Sequence, residues 1–521
     1  MLRSRHVAGC LLLALTTIGS LPASAVSQQS ERSGASAFLP SSHWAVGVAR
    51  RIAALGLADP DFGWGDGTLT ILAVGRALHD APSIAQRERP ALAPLMKGYW
   101  DRFAEEFPAT AVALDPRDAA RHGSLVEGWA SVGYSSATGR LYPVRSISNS
   151  REDVEGPFPR SNLSEAGVST NLSLAVGPFF AGSISPEHRD GEWGLREGYA
   201  VAEWKKVGVW GGRRAPAFST GQGGGIVIDG TAAFTGGGLA FTDPVRLPWV
   251  LRHIGAIRFE TFLSRLDSNA AIPRPWFFAS HVSISPHPRL LIGATQAFMF
   301  GGEGVAPFTW NNFKEMFLAH GVQSAGTEYE NGMASWEVRF SPPVPVVPLT
   351  LYMEWGWDDN HAAWTLFPGR VMGGQIPAVP GIPALSLGLE HAGFAKPCTG
   401  CDGCHCEYYA TWYRHHLFKD GWTVDRMPIG HPLGGQGSEW LLYATWDDPT
   451  NRFRLDARSF LRERGPYNIY APAHEGRSVG GKVSAVYRAT PQTDLVLTGA
   501  LEDGSTDWRA SSVFAGVRWI F

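Results

Sequence analysis

Apolar and polar residues alternate one by one over most of this chain, and only near its start do they recur every three or four positions. "NRFRLDARSFLRER" is the plainest alternating stretch. Phe453, Leu455, Ala457 and Leu461 share one face, and Arg452, Arg454, Asp456, Arg458 and Arg462 share the other. Period two belongs to a strand whose two faces meet different surroundings. "GKVSAVYRAT" repeats the pattern, setting Val483, Ala485 and Tyr487 against Lys482, Ser484 and Arg488. "RHIGAIRFETFLSR", "RLLIGATQAFMF", "GMASWEVRF", "LTLYMEWGW", "ALSLGLEHAGF", "EYYATWYRHHLF", "SEWLLYATW" and "TDLVLTGAL" read the same way. Each runs about ten residues, the length with which a tilted strand crosses a bilayer. The chain closes on "SSVFAGVRWIF", with Val513, Ala515, Val517, Trp519 and Phe521 on one face.

Alternation alone also suits a soluble sandwich. The connections separate the two. Counted back from Phe521, the turns "TPQTD", "DDPTN", "SPPVPVVP", "SPHP" and "DPVRLPW" fall on one side. "RGPYNIYAPAHEGRSVGG", "KDGWTVDRMPIGHPLGGQG", "DDNHAAWTLFPGRVMGGQIPAVPGIP" and the segment from "GEGVAPF" to "EYENG" fall on the other. Short turns on one side and long loops on the other are the mark of an outer-membrane barrel. The count is roughly 16–18 strands, within the range of such barrels. A sheet in lipid must close so that every backbone polar group has a partner. Trp519 and Phe521 then belong to an aromatic girdle at the periplasmic interface. A terminal strand ending in Phe also resembles the signal by which such barrels are handed to the barrel assembly machinery.

Helical spacing precedes the strands. Trp44, Val48, Ile52 and Leu55 form one pattern; Leu69, Leu72 and Ala73 start another; Leu92, Met96, Tyr99, Phe103 and Phe107 form a third. The expected division is a signal peptide over 1–25, a helical periplasmic segment over 26–110 and a barrel over 111–521. The signal peptide rests on "GCLLLALTTIGSLPASA" behind "MLRSRH", with cleavage expected after Ala25. "VAGC" precedes the apolar run instead of following it, so Cys10 is read as part of the signal peptide. The net charge of −3 gives no reason to expect nucleic acid as a partner.

Two blocks carry a family resemblance. "LLIGATQAFMFGGEGVAPF" and "YRHHLFKDGWTVDRMPIGHPLGG" resemble segments of the capsule assembly Wzi family; "VGVWGGRRAPAFSTGQGGGIVI" and "SHWAVGVARRIAALGL" resemble it more loosely. The similarity runs from about Trp44 to Phe521. It implies an all-β transmembrane barrel of about eighteen antiparallel strands, with a small α-helical bundle on the periplasmic side. It also implies a lectin-like outer-membrane protein that helps attach capsular or extracellular polysaccharide to the cell. Expected partners are that polysaccharide, outer-membrane lipid and lipopolysaccharide, for a monomer with no cofactor. A porin-like channel for sugars or anions is the alternative.

No GxSxG, HExxH or Walker-type motif is present. Gly302, Glu303, Gly304, Gly430 and His431 lie in family-motif loops. Glu303 and His431 are read either as an acid–base pair or as loop-to-loop hydrogen bonds in glycine turns; the structural reading is favoured and no enzyme is expected. Arg452, Arg454, Arg458 and Arg462 form either an anion ladder or cross-lumen ion pairs, the second favoured. Sugar binding needs aromatic faces beside Asp and Asn. The long loops supply Trp310 with Asn311 and Asn312, Trp364, Trp422 with Asp425, Tyr467 with Asn468, Tyr470, and Trp508 with Asp507. Cys398, Cys401, Cys404 and Cys406 surround His405 in what is read as a periplasmic turn. An oxidising compartment favours two disulfides there, and four thiolates holding zinc is the alternative.

Overall fold

The computed structural model describes residues 34–521 apart from 61, 115–124, 140–164, 190–191, 269, 306–308, 313–329, 345–346, 359–368, 395–411, 416, 426 and 506. Four helices come first: α1 (Trp44–Ala54), α2 (Ile71–Glu88), α3 (Ala93–Glu106) and α4 (Pro108–Leu114). The wall strands follow as β1 (Leu125–Gly139), β2 (Glu165–Val176), β3 (Phe180–Arg189), β4 (Glu192–Trp204), β5 (Val207–Arg214) and β6 (Phe234–Phe241). Next are β7 (Ala256–Arg265), β8 (Trp276–His287), β9 (Leu290–Phe300), β10 (Glu330–Phe340), β11 (Thr350–Asp358) and β12 (Gly369–Ile376). The last are β13 (Leu385–Gly393), β14 (Gly437–Asp447), β15 (Phe453–Arg464), β16 (Gly476–Thr490), β17 (Thr493–Gly504) and β18 (Trp508–Ile520). They form an 18-strand closed antiparallel barrel. β18 closes it on β1, from Ile520 opposite Trp129 to Ala510 opposite Gly139.

The wall follows the period-two register. Leu461, Val479, Val483, Tyr487, Leu497 and Val513 face outward and are exposed, as lipid-facing residues are in a bare chain. Arg462, Ser478, Lys482, Arg488, Thr498 and Ser512 alternate with them and are buried in the lumen. Trp519, Phe521, Trp204 and Phe180 stand exposed at the short-turn end, with the Trp519 and Phe521 rings 5.9 Å apart. Rings with one polar edge favour that depth of a bilayer.

One strand lies elsewhere than the alternation predicts. Trp412–His415 and 417–418, the described part of "EYYATWYRHHLF", are irregular; "GRVMGGQI" is β12 instead. Its glycines hide a wall strand, while the rings of the other segment pack into a loop core and imitate alternation. The strand total is unchanged, but the connection 394–436 joins β13 to β14 at the long-loop end, not the short-turn end. The expected near-side cysteine turn is thereby corrected. Cys398, Cys401, Cys404 and Cys406 themselves lie outside the described residues.

The helices close the short-turn end. Trp44, Val48, Ile52, Leu78, Met96, Tyr99 and Phe103 are buried together, the faces that the three-and-four spacing marks. The His43 ring caps α1 by accepting from the Ala45 amide at 3.3 Å. Polar bolts fix the bundle to the wall. Arg51 donates to Pro377 O (2.6 Å), Pro383 O (2.8 Å) and Asp447 (2.9 Å), and Tyr99 donates to Asp447 at 2.6 Å. Glu106 takes the Trp44 indole at 2.6 Å and faces His43 at 2.9 Å and Arg518 at 3.4 Å. Burial alone would raise the Glu106 carboxyl, yet Arg518, His43 and Arg102 hold it well below the usual carboxylate range. Gly98 lets α3 touch the β14–β15 turn, because a Cβ there would stand 2.3 Å from Asn451 Nδ2.

The register gives a direct prediction. Val483→Arg puts a charge on the lipid face near mid-wall and should cost ~2–4 kcal/mol in a folding titration into lipid. Ser484→Ala, one residue along in the lumen, should cost about 1 kcal/mol or less, since it loses only the Thr498 hydrogen bond. Equal losses from both faces would reject the register.

Candidate functional site

The long-loop end is filled by three connections. The first, 215–233, dips into the lumen between β5 and β6; 412–436 and 465–475 lie over it. Its glycine-rich centre has no side chains to bury, so its backbone must be paired from the wall. Gln222 and Gly223 amides donate to Glu390 of β13 at 2.6 and 2.8 Å. The Ile226 amide donates to both oxygens of Glu354 of β11 at 3.2 Å, and Ser335 donates to the same carboxylate at 2.8 Å. Arg339 and Arg458 donate to Thr220 O and Gln222 O, each at 2.9 Å. From above, the Tyr413 hydroxyl donates to Ile226 O at 2.5 Å and the Trp422 indole to Val227 O at 3.0 Å. Burial pushes the Tyr413 phenol well above its ordinary value and keeps it a neutral donor. Gly224 sits at φ +143°, and a Cβ there would lie 2.5 Å from the Pro432 ring.

The predicted sugar-contact residues divide into two groups. Trp310 is 72% exposed and Tyr467 is 40% exposed, with Asn311 also in water. Trp422, Tyr470 and Trp508 are buried at 0%, 3% and 4%. Their expected availability to a ligand is corrected: Trp422 meets Phe277 edge-on at 5.3 Å, and Trp508 and Tyr470 pack around His474. Rings in long loops here fill the loop core. Asn468 ties Leu433 O and Gln436 O at 2.9 and 3.1 Å. Asp425 tips a small hairpin, pairs with Arg213, and donates its amide to Asp267 at 2.6 Å. Trp364 lies outside the described residues.

The two family-motif loops play different parts. Gly301, Gly302 and Gly304 have positive φ, and Glu303 is exposed beside Arg274 at 3.4 Å. His431 is fully buried, its ring 5.7 Å from Phe394, and its Nδ1 accepts from the Leu433 amide at 3.1 Å. Gly430 leaves room for Ile226 O, 2.4 Å from where a Cβ would be. Glu303 at the wet rim and His431 inside the loop core do not form an acid–base pair.

Among the described residues, cavities of about 100 and 90 Å3 open in the lumen beside His43 and Trp44. The lumen arginines are locks. Arg454 holds Asp456 at 2.8 Å and Asp447 at 3.4 Å; Arg462 holds Glu439 and Glu502. Arg458 bonds the loop backbone, and Arg452 is exposed at the β14–β15 turn. Glu354 and Glu390 escaped sequence reasoning. Their signal was present: "LYMEWGW" and "LSLGLEHAGF" each place one acid among apolar residues on an inward position.

A closed barrel with an apolar outer belt, an aromatic girdle, helices packed at one end and loops packed at the other is an outer-membrane barrel. Residues 155–513 match the family described as capsule assembly protein Wzi, and the chain belongs to that family. The solved structure of Wzi from Escherichia coli, described as a carbohydrate-binding β-barrel involved in group 1 capsule assembly, matches with a TM-score of 0.69 and 16% identity, covering 93% of this chain and 99% of that one. The Pseudomonas aeruginosa proteins OccK5 and OpdO match with TM-scores of 0.45 and 0.46 and identities of 10% and 11%; each covers 77% of this chain, and 98% and 97% of their own. No curated protein sequence matches.

Two outcomes follow for the loop face. Trp422→Ala should destabilise by ~3–5 kcal/mol in denaturant titration, while Trp310→Ala stays within ~0.5 kcal/mol. Burial, then the Asp425 carboxylate, raises Asp267 to about 6 from an ordinary 3.8. The folded loops therefore hold that proton more tightly than the unfolded chain. The stability this proton contributes is full below about pH 4, is lost as pH rises to about 6, and is flat above. Denaturant titration should show a drop in stability from pH 4 to pH 7 that comes from this group. Asp267→Asn should remove the difference.

Proposed function

We propose that this protein binds capsular or extracellular polysaccharide on its outer face and takes part in anchoring or assembling it at the cell surface. The observation that carries this reading is the loop end itself. Its centre is a packed plug hydrogen-bonded to the wall, and what it leaves in water are aromatic and amide side chains at the rim: Trp310, Asn311 and Tyr467. Rigid aromatic faces beside amides suit pyranose rings and their hydroxyls. Family membership and the fold shared with the Escherichia coli carbohydrate-binding barrel support the same conclusion. Glu303 and His431, lying apart, favour a binding protein over an enzyme. The filled lumen favours it over a porin-like channel.

The remaining expectations fit this role. The signal peptide is cut after Ala25, and the helices face the periplasm. The exposed Phe521 strand addresses the chain to the barrel assembly machinery, and the apolar belt meets lipid and lipopolysaccharide as a monomer.

Purified protein on a glycan array should retain acidic or neutral surface polysaccharides, and Trp310→Ala with Tyr467→Ala should weaken retention at least tenfold with the barrel still folded. A strain lacking the protein should shed capsule. In planar bilayers the protein should give no large steady current. A porin-sized conductance, or turnover of purified capsule that vanishes on Glu303→Ala, would overturn the reading.

A further inference from the structure

Strand β4 carries one residue more than its partner. Ser185 of β3 opposes Glu197 and Pro186 opposes Leu195, which leaves Arg196 with no opposite residue. A bulge of this kind re-aims a side chain that strict alternation would send elsewhere. Glu197 is buried and accepts the Ala215 amide at 2.8 Å. Arg196, its neighbour in sequence, also lines the lumen, at the cavity of about 100 Å3.

The other cations around this cavity are engaged. Arg454 holds Asp456, Arg518 holds Asp494 at 2.5 Å and Glu106 at 3.4 Å, and Arg102 lies over the Trp44 ring at 4.3 Å. Arg196 has no hydrogen bond or ion pair with any of the described residues. Much of the remaining lining is hydroxyl and amide, from Ser131, Ser169, Asn171, Ser185 and Ser484, with the Trp129 ring beside them; two carboxylates also line it, Asp456 held by Arg454 and the buried Glu187.

We propose that this cavity is a binding site for a small hydroxylated carboxylate of the sugar-acid class, held by Arg196. A guanidinium fork fits a carboxylate with two parallel hydrogen bonds. Serine and asparagine side chains both donate and accept, as sugar hydroxyls require. Asn171 already bonds Ser185 at 2.7 Å and Ser484 bonds Thr498 at 2.9 Å, and each keeps further hydrogen-bonding capacity that a hydroxylated ligand could use and a monatomic anion could not. An indole face offers the apolar surface of a ring a place to stack. The site is inside the barrel and independent of the outer-face reading.

The test is calorimetric titration of the full chain in detergent with sodium glucuronate, glucose and sodium chloride. Wild type should bind glucuronate and neither of the others. Arg196→Gln should weaken binding at least tenfold, and Arg196→Lys, which keeps the charge but loses the fork, should weaken it by less. Heat-dependent gel migration checks that each variant is folded. Competition by an oligosaccharide ending in glucuronate would support the site and assign it to chain ends; glucuronate binding without that competition would support it and assign it to the free acid. No glucuronate binding by wild type overturns the proposal, as does unchanged affinity in both variants. Glycan-array retention by the same samples reports on the outer face alone, so the two readings fail separately.

Discussion

Two wall carboxylates seat the peptide backbone that fills the barrel. Closing a sheet satisfies the wall and leaves a lumen lined by alternate residues of 18 strands. A loop entering that space brings amides and carbonyls that cannot be left unpaired. Glu354 and Glu390 accept three of those amides, and Arg339 and Arg458 supply donors to two carbonyls. The segment's glycines let its backbone approach these side chains closely. The apolar core of Tyr413, Trp422 and Ile429 then has a floor to pack on, and the outer rim has a rigid base.

The opposite end uses the same logic with helices. Arg51 and Arg102 reach from their helices to turn carbonyls and wall acids at the short-turn end, and Glu106 pairs with Arg518 of the wall. Leaving one partner of such a buried pair alone costs more than the pair gains over an apolar substitute. The pairs therefore fix where each helix sits more than how stable it is. With the described loops and helices bonded to the wall at both ends, binding at the outer rim need not reorganise the barrel.

Much of this was legible in the sequence because lipid and lumen impose opposite chemistry at period two. Val483 and Lys482 declare the two faces, and the sorting of turn lengths declares the two ends. The errors have physical causes. β12 spends its positions on Gly373 and Gly374, whose missing side chains erase the alternation, while Trp412 and Tyr413 supply rings to a loop core and mimic it. For the same reason loop aromatics could not be sorted by sequence. Trp310 and Trp422 both stand among polar neighbours, and only the fold shows that one covers Val227 and the other faces water. The arginine locks were legible in part: Arg454 holds Asp456 two residues along the same face and Arg462 holds Glu439 and Glu502, whereas Arg458 bonds the plug backbone and Arg452 is exposed at the β14–β15 turn, outside the lumen set. Glu354 and Glu390 stand out as lone acids on inward strand positions, but the plug amides they accept lie more than a hundred residues away in sequence, and local spacing does not name those partners.

The central claim is that these two carboxylates hold the plug. Hydrogen exchange followed in the folded protein tests it through the amides of Gln222, Gly223 and Ile226. These should be strongly protected in the wild type. Glu354→Ala with Glu390→Ala should release them while the amides of β14–β18 stay protected. Rapid exchange at the three amides in the wild type, or unchanged protection in the double variant, would contradict the account.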